Sequence, residues 1–206
     1  MLIFLSRELA FLATPKTGTT AVEMALKPHA EIVFARNRKH ITAQRYMNRV
    51  RPFLKQTFSA APEPLAVMRN PVDQIRSWYR YRSQPRLDGH RLSTKTLTFD
   101  QFALEVISDD PPPRAQIGSQ FTFLTSDHGA LLIQHLFAYE RQLTFRDFLS
   151  ERLRQDINLK PKNVSPDVPA PLSPEVEAQL RAARADEFAL YDRLMEAEGY
   201  LVTPQE

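Results

Sequence analysis

The strongest chemical signal in the sequence is a polar hexapeptide, Pro-Lys-Thr-Gly-Thr-Thr, at residues 15–20. It supplies one ammonium group, three hydroxyl groups and a glycine that lets the backbone approach a ligand closely. A turn that opens a helix also points backbone N–H groups at a bound anion. We therefore predict a phosphate or sulfate site here, and the residues expected to bind the anion are Lys16, Thr17, Gly18, Thr19 and Thr20.

The residues on either side of the hexapeptide predict a strand, a loop and a helix in succession. Residues 9–14 are a continuous apolar run of the kind found in buried strands. Thr20 and Glu23 have the spacing of a capping box, which predicts a helix from Thr20 to about Lys27. The polar turn is thus expected to lie between a buried strand and a helix N-terminus.

The hexapeptide differs from a Walker A loop in the order of its residues. That loop requires an earlier glycine and a lysine after its second glycine, whereas Lys16 precedes Gly18. We also find no convincing Asp at a predicted strand end to hold Mg²⁺, and we expect no metal site. A P-loop-type kinase acting on a small molecule or nucleoside stays open as an alternative, and it predicts Mg²⁺-dependent ATP binding.

A second strand, turn and helix follow at residues 65–82. Asn70 and Pro71 are typical of the cap and first position of a helix. Arg69 would end the strand, where its guanidinium group can form forked hydrogen bonds to a phosphate. Ser77 lies two helical turns beyond Pro71 and reaches the same anion only if the helix runs beside the ligand.

Together these two segments resemble the sulfotransferases that use 3′-phosphoadenosine 5′-phosphosulfate, in particular the carbohydrate-type and bacterial members. In that family a P-K-[TVS]-G-[TS]-[TS] loop holds the 5′-phosphosulfate, and residues 15–20 match it position by position. An Arg at a strand end and a Ser on the next helix bind the 3′-phosphate there, which implies Arg69 and Ser77. The resemblance implies a sulfotransferase with this nucleotide as co-substrate. The expected acceptor is a hydroxyl or amine of a carbohydrate, a lipid-linked molecule or a small molecule.

The resemblance also implies a fold, and the alternating strand and helix signals favour the same class. We expect a three-layer α/β domain like that of the P-loop NTPases, with a central, mainly parallel sheet flanked by helices. We predict one domain spanning residues 1–206. A later segment resembles the family's loop over the nucleotide, which implies that Lys162 and Ser165 contact the co-substrate.

The remaining chain carries further secondary-structure signals. A capping box at Thr98 predicts a helix to about Ile107, and residues 121–125 and 131–139 are predicted as strands. Ser173 and Pro174 predict the start of one terminal helix.

The sulfuryl acceptor must lose a proton, so a general base is required. Among five histidines we favour His40, because family members often place their base between the two phosphate motifs. The cations beside it would lower its pKa and favour the neutral form. Lys16 is the second expected catalytic residue, because its charge can stabilise the negative charge that develops on the leaving nucleotide. His90 and Glu23 stay open as alternative bases, and so does a catalytically inactive relative that only binds the nucleotide.

Aromatic and basic residues of the second helix have two interpretations. Trp78 stacks on a ligand ring or belongs to the core, and its helical spacing favours the core. The arginines of this region either face an anionic acceptor or form a solvated surface; they are Arg76, Arg80, Arg82, Arg86 and Arg91.

Composition limits the function classes. Hydrophobic residues make up 43% of the chain and charged residues 25%, which excludes a disordered protein. The absence of cysteine excludes disulfide scaffolds, thiol nucleophiles and zinc ribbons. A net charge of only +3 argues against a nucleic-acid partner despite the basic pI. No apolar run approaches the ~18 residues of a membrane span, so we expect a cytoplasmic, bacterial protein without one.

Overall fold

The computed structural model describes residues 1–159 and 168–204 of the 206-residue chain. Within these residues six strands form one sheet in the order β3-β1-β2-β4-β5-β6. The strands are β1 (Leu2–Phe4), β2 (Leu9–Leu12), β3 (Ile32–Val33), β4 (Glu63–Met68), β5 (His135–Ala138) and β6 (Tyr200–Val202).

The sheet is mixed, which corrects the prediction of a mainly parallel one. Of the five strand pairs in the described residues, only β2–β4 and β4–β5 are parallel. Strand β1 runs antiparallel to β2 and β3, and β6 runs antiparallel to β5. The three parallel strands still bring their carboxyl ends to one edge of the sheet, so the loops that follow β2, β4 and β5 meet there.

Helices surround the sheet in the described part of the chain. They are α1 (Thr19–Leu26), α2 (Ala43–Arg45), α3 (Arg51–Phe58), α4 (Pro71–Arg82), α5 (Phe99–Val106), α6 (Gln120–Leu124), α7 (Gln142–Leu153), α8 (Pro174–Ala183) and α9 (Ala185–Glu196). A π-helical turn, Tyr46–Val50, joins α2 to α3. None of the described helices has the length and apolar composition needed to cross a membrane.

The two faces of the sheet pack against different helices. In β4, Ala66 and Met68 belong to one hydrophobic cluster with residues of α3, α6 and α9. The alternating residues Leu65 and Val67 belong to a second cluster with residues of α1 and α7. This alternation follows from the period of two along a strand and places helices on both faces. The chain is therefore an α/β protein with one sheet between helical layers.

A third cluster forms where α4, α5 and α8 pack together beyond the sheet. Local sequence sets the starts of two of these helices. Asn70 caps α4, and the capping box of Thr98 and Gln101 opens α5, as predicted. The Asn70 side chain accepts hydrogen bonds from the backbone N–H groups of Val72 and Asp73, at 3.0 and 3.3 Å. The entry to α4 is thus fixed by its own side chains.

Three local predictions are wrong. Residues 121–125 do not form a strand, because Ser119 caps the short helix α6 over them. The predicted terminal helix is two helices, α8 and α9, which meet at Arg184. Helix α1 begins after Gly18, not at a capping box of Thr20, and Glu23 instead pairs with Lys39.

Candidate functional site

A cavity of about 1110 Å³ opens at the carboxyl edge of the parallel strands. All eight predicted site residues within the described chain line it; they are Lys16, Thr17, Gly18, Thr19, Thr20, His40, Arg69 and Ser77. The alternative bases Glu23 and His90 are not in its wall. Lys162 and Ser165 lie outside the described residues.

The first loop is shaped to leave backbone groups open to the cavity. Lys16 and Gly18 both have a left-handed backbone, with φ of 67° and 73°. The buried hydroxyl of Thr17 donates to the carbonyl oxygen of Thr14 at 2.9 Å and holds the turn together from inside. In the described chain no side chain caps α1, so its first N–H groups remain available to an anion.

The Tyr139 ring lies between the two predicted loops. A Cβ added to Gly18 would come within 3.1 Å of Tyr139 Cε2, so glycine allows this close approach. The guanidinium carbon of Arg69 lies 4.6 Å from the centroid of the same ring. Tyr139 directly follows β5, and its backbone N–H donates to Met68 O at 2.7 Å. One ring therefore contacts both loops.

Arg69 is held by its backbone, which leaves its side chain for other contacts. Gln120 accepts a hydrogen bond from Arg69 N–H and donates one to Arg69 O, both at 2.9 Å. Buried Glu187 orients Gln120 in turn and is itself paired with Arg184. The buried Nε of Arg69 has no hydrogen-bond partner among the described residues. Leaving this buried donor unpaired costs stability in the protein without a ligand.

Lys16 lies against aromatic rings from α4. Its Nζ is 4.1 Å from the centroid of Tyr81 and 5.3 Å from that of Trp78. Burial, and after it the charges of nearby arginines, lower the pKa of Lys16 to about 8. A bound anion would restore the charged form, because it supplies the counter-charge that the cavity lacks.

Comparisons with protein-family models, curated proteins and solved structures found no match for the chain. The chemistry of the cavity is therefore taken from its own residues. In the part of the chain that the structure describes, no three His, Asp or Glu side chains form a group that could hold a metal ion.

His40 has one ring nitrogen occupied and one available. Its Nδ1 lies 2.6 Å from the carbonyl oxygen of Ala13, which only accepts, so Nδ1 carries the proton. In the neutral ring Nε2 is then the proton acceptor. Burial in the cavity wall lowers the pKa of His40 below its ordinary 6.5, and the charge of Lys39 lowers it as well. His40 is thus anchored to the end of β2 in the protonation state that a base requires.

The position of Trp78 supports its interpretation as a core residue and leaves stacking on a ligand as a prediction. It packs against the cluster of α4, α5 and α8, and it also lines the cavity. One face of α4 thus packs in the core, while Ser77 on the same helix lines the cavity.

Three residues that organise the site were not predicted from the sequence. Gln120 and Tyr139 act through contacts with residues 51 positions or more away in the chain, which no local pattern reveals. The one available signal for Tyr139 was its position at the end of a predicted strand. Tyr81 lies three positions after Trp78 on the same helix, and nothing in that spacing indicates a contact with Lys16.

Proposed function

We propose that the protein is a sulfotransferase that uses 3′-phosphoadenosine 5′-phosphosulfate as its donor. One observation carries this proposal: the uncapped N-terminus of α1 beside Lys16, Arg69 with an Nε that has no described hydrogen-bond partner, and His40 with its Nδ1 held by Ala13 O all line one cavity. Two separate anion sites and a base are what a nucleotide with phosphates at both ends and an acceptor hydroxyl require.

The two loops would divide the donor between them. Residues 15–20 would hold the 5′-phosphosulfate with backbone N–H groups, the hydroxyls of Thr19 and Thr20, and Lys16, while the Thr17 hydroxyl supports the turn from inside. Arg69 and Ser77 would hold the 3′-phosphate, since both line the same cavity. The two loops follow the neighbouring strands β2 and β4, so one ligand with an anion at each end could contact both.

The reaction would be a direct transfer between two oxygens. The acceptor oxygen forms a bond to sulfur while His40 Nε2 takes its proton. The bond between sulfur and the bridging oxygen of the 5′-phosphate breaks, and its electron pair stays on the phosphate. Lys16 stabilises the charge that develops on that oxygen, and 3′-phosphoadenosine 5′-phosphate leaves.

Binding of 3′-phosphoadenosine 5′-phosphate, measured by titration calorimetry, tests the proposal. We expect Lys16→Ala and Arg69→Ala each to weaken binding by about 10–100-fold, since each removes a charged hydrogen bond to an anion. Lys27→Ala and Arg49→Ala are matched controls, because both residues are exposed and outside the cavity wall. No binding, or equal losses in the controls, would contradict the proposal.

The two alternatives give different results in the same titration. Tighter binding of Mg²⁺-ATP than of 3′-phosphoadenosine 5′-phosphate would favour a kinase. Tight binding of 3′-phosphoadenosine 5′-phosphate without sulfuryl transfer would favour an inactive relative that only binds the nucleotide. The transfer assay would cover hydroxyls and amines of carbohydrates, lipid-linked molecules and small molecules.

A further inference from the structure

The cavity wall carries more positive charge than the described chain neutralises. Of the described residues that line it, seven are lysine or arginine, and Asp73 is the one with a carboxylate. Three of these cations form ion pairs: Lys39 with Glu23, Arg76 with Asp73 and Arg146 with Asp147.

Of the remaining cations, Arg80 donates from Nε to the carbonyl oxygen of Val168 at 2.9 Å. Lys16, Arg69 and Arg86 have no ion pair with a carboxylate in residues 1–159 and 168–204. The proposed donor accounts for Lys16 and Arg69. It leaves Arg86 without a role.

Arg86 lies in the turn Pro85–Leu87, directly after α4, and is exposed at the cavity. Its Nε donates to the side-chain oxygen of Gln84 at 2.8 Å, and its guanidinium carbon is 4.8 Å from the centroid of Tyr81. Lys16 Nζ is 4.1 Å from the same centroid. Both cations contact the Tyr81 ring, so Lys16 Nζ and the guanidinium carbon of Arg86 are no more than about 9 Å apart.

We propose that the sulfuryl acceptor carries a phosphate or sulfate monoester and that Arg86 binds it. This inference rests on the proposed function, which places the transferred group at Lys16. An acceptor whose hydroxyl reaches that group could place an anionic substituent at Arg86, because the two cations are at most about 9 Å apart. The guanidinium group offers a planar fork that matches a monoester oxyanion.

The other arginines of this region are less suited to the same task. Buried Arg82 donates to the carbonyl oxygens of Pro113 and Arg114, and Arg76 is paired with Asp73. Arg91 is exposed but does not line the cavity. Arg86 thus combines exposure, proximity to Lys16 and the lack of a described carboxylate partner.

The test titrates protein already saturated with 3′-phosphoadenosine 5′-phosphate, so that the donor site is filled. The probes are glucose 6-phosphate, glycerol 3-phosphate and phenyl phosphate, each beside its neutral counterpart glucose, glycerol or phenol. We expect at least one phosphate ester to bind at least tenfold more tightly than its counterpart. Arg86→Gln should remove that preference, while Arg91→Gln, an equal charge change on the same segment, should keep it.

Each outcome of this test decides between the two proposals. If the nucleotide does not bind, the proposed function fails and the acceptor inference falls with it. If the nucleotide binds but no ester is preferred, or if the preference survives Arg86→Gln, only the acceptor inference is wrong. A preference that survives Arg86→Gln is also the result expected if the ester phosphate binds where the sulfuryl group would be, and in that case too the acceptor inference is wrong. Affinity for 3′-phosphoadenosine 5′-phosphate within threefold of the unmodified protein shows that Arg86→Gln is folded.

Discussion

Two regions of the molecule share a topology and differ in the groups that they leave open for an anion. The unit β2–α1 and the unit β4–α4 each run from a parallel strand through a short loop into a helix at the same sheet edge. Helix α1 begins after Gly18, with no side-chain cap in the described chain. Helix α4 begins after Asn70, whose side chain occupies the N–H groups of Val72 and Asp73.

This difference determines which groups remain for a ligand. The first loop can offer backbone N–H groups to an anion, because no side chain in the described chain caps the first turn of α1. The second loop has used its amides for its own cap, so an anion there must be bound by the Arg69 side chain. That side chain accordingly has a firm support, since Gln120 fixes both backbone groups of Arg69.

The two units are also joined across the cavity. The Gln74 side chain of α4 donates to Pro15 O of the first loop at 3.3 Å, and the Tyr139 ring contacts Gly18 and Arg69. The loops therefore have a fixed relative position, which suits a ligand that must contact both.

The largest expected effect concerns His40, the proposed base, whose ring is hydrogen-bonded to Ala13 O at the end of β2. We expect His40→Ala to lower the sulfuryl transfer rate by about 10²–10⁴-fold. The affinity for 3′-phosphoadenosine 5′-phosphate should stay within threefold. In the unmodified protein the rate should fall as the pH drops through the lowered pKa of His40, below 6.5, because the ring then becomes protonated.

His90→Ala is the control for this prediction, since His90 is exposed and outside the cavity wall. Transfer rates measured with both variants decide the assignment. Full turnover in His40→Ala would move the role of base to another residue.

The next effect concerns the backbone of the first loop. We expect Gly18→Ala to weaken nucleotide binding by at least tenfold, because a Cβ would press on Tyr139 at 3.1 Å and strain a φ of 73°. Gly89→Ala is a close control, since Gly89 has a φ of 72° with no atom within 4 Å of an added Cβ. Calorimetry should show weakened binding in Gly18→Ala alone, although both variants lose stability. Similar affinities in the two variants would mean that the first loop does not bind the nucleotide.

A smaller effect follows from the lowered pKa of Lys16. Because the charged form binds an anion and this pKa is about 8, nucleotide affinity should fall as the pH rises above 8. At pH 9 about a tenth of the free protein would keep the charge, which predicts about tenfold weaker binding. Lys16→Arg should show no such dependence between pH 7 and 9. A flat profile for the unmodified protein would contradict a contact between Lys16 and the nucleotide.

The smallest effect on binding is expected at the second helix cap. Asn70→Ala should lower the free energy of unfolding by about 1 kcal/mol and change nucleotide affinity less than threefold. Thr98→Ala removes the cap of α5, outside the cavity, and should cost a similar amount. Urea unfolding and calorimetry measure the two quantities. A large loss of affinity in Asn70→Ala would mean that both helix N-termini bind the ligand alike.

The sequence was most informative where structure depends on neighbouring residues. The two strand–loop–helix units, the Asn70 cap and the Thr98 capping box follow from local patterns and are confirmed. Strands β1, β3 and β6 have only two or three residues and exist through pairing with distant strands, so no periodicity marks them. The predicted cap at Thr20 was wrong because the left-handed Gly18 ends the loop two residues earlier.

The candidate site divides in the same way. Lys16 was predicted from residue type and position, Arg69 and His40 with the help of the family resemblance, and all three line one cavity. The contacts that support them come from Gln120 and Tyr139, which reach the site only through the folded chain. Side chains that act through long-range contacts carry no local signal.

The central claim is that two unlike loops each hold one end of the donor nucleotide. The most direct test is competition of adenosine 5′-phosphate and adenosine 3′-phosphate against bound 3′-phosphoadenosine 5′-phosphate. Lys16→Ala should weaken the 5′-phosphate at least tenfold and leave the 3′-phosphate within threefold, and Arg69→Ala should do the reverse. Equal losses of both ligands in both variants would contradict the division of the nucleotide between the two loops.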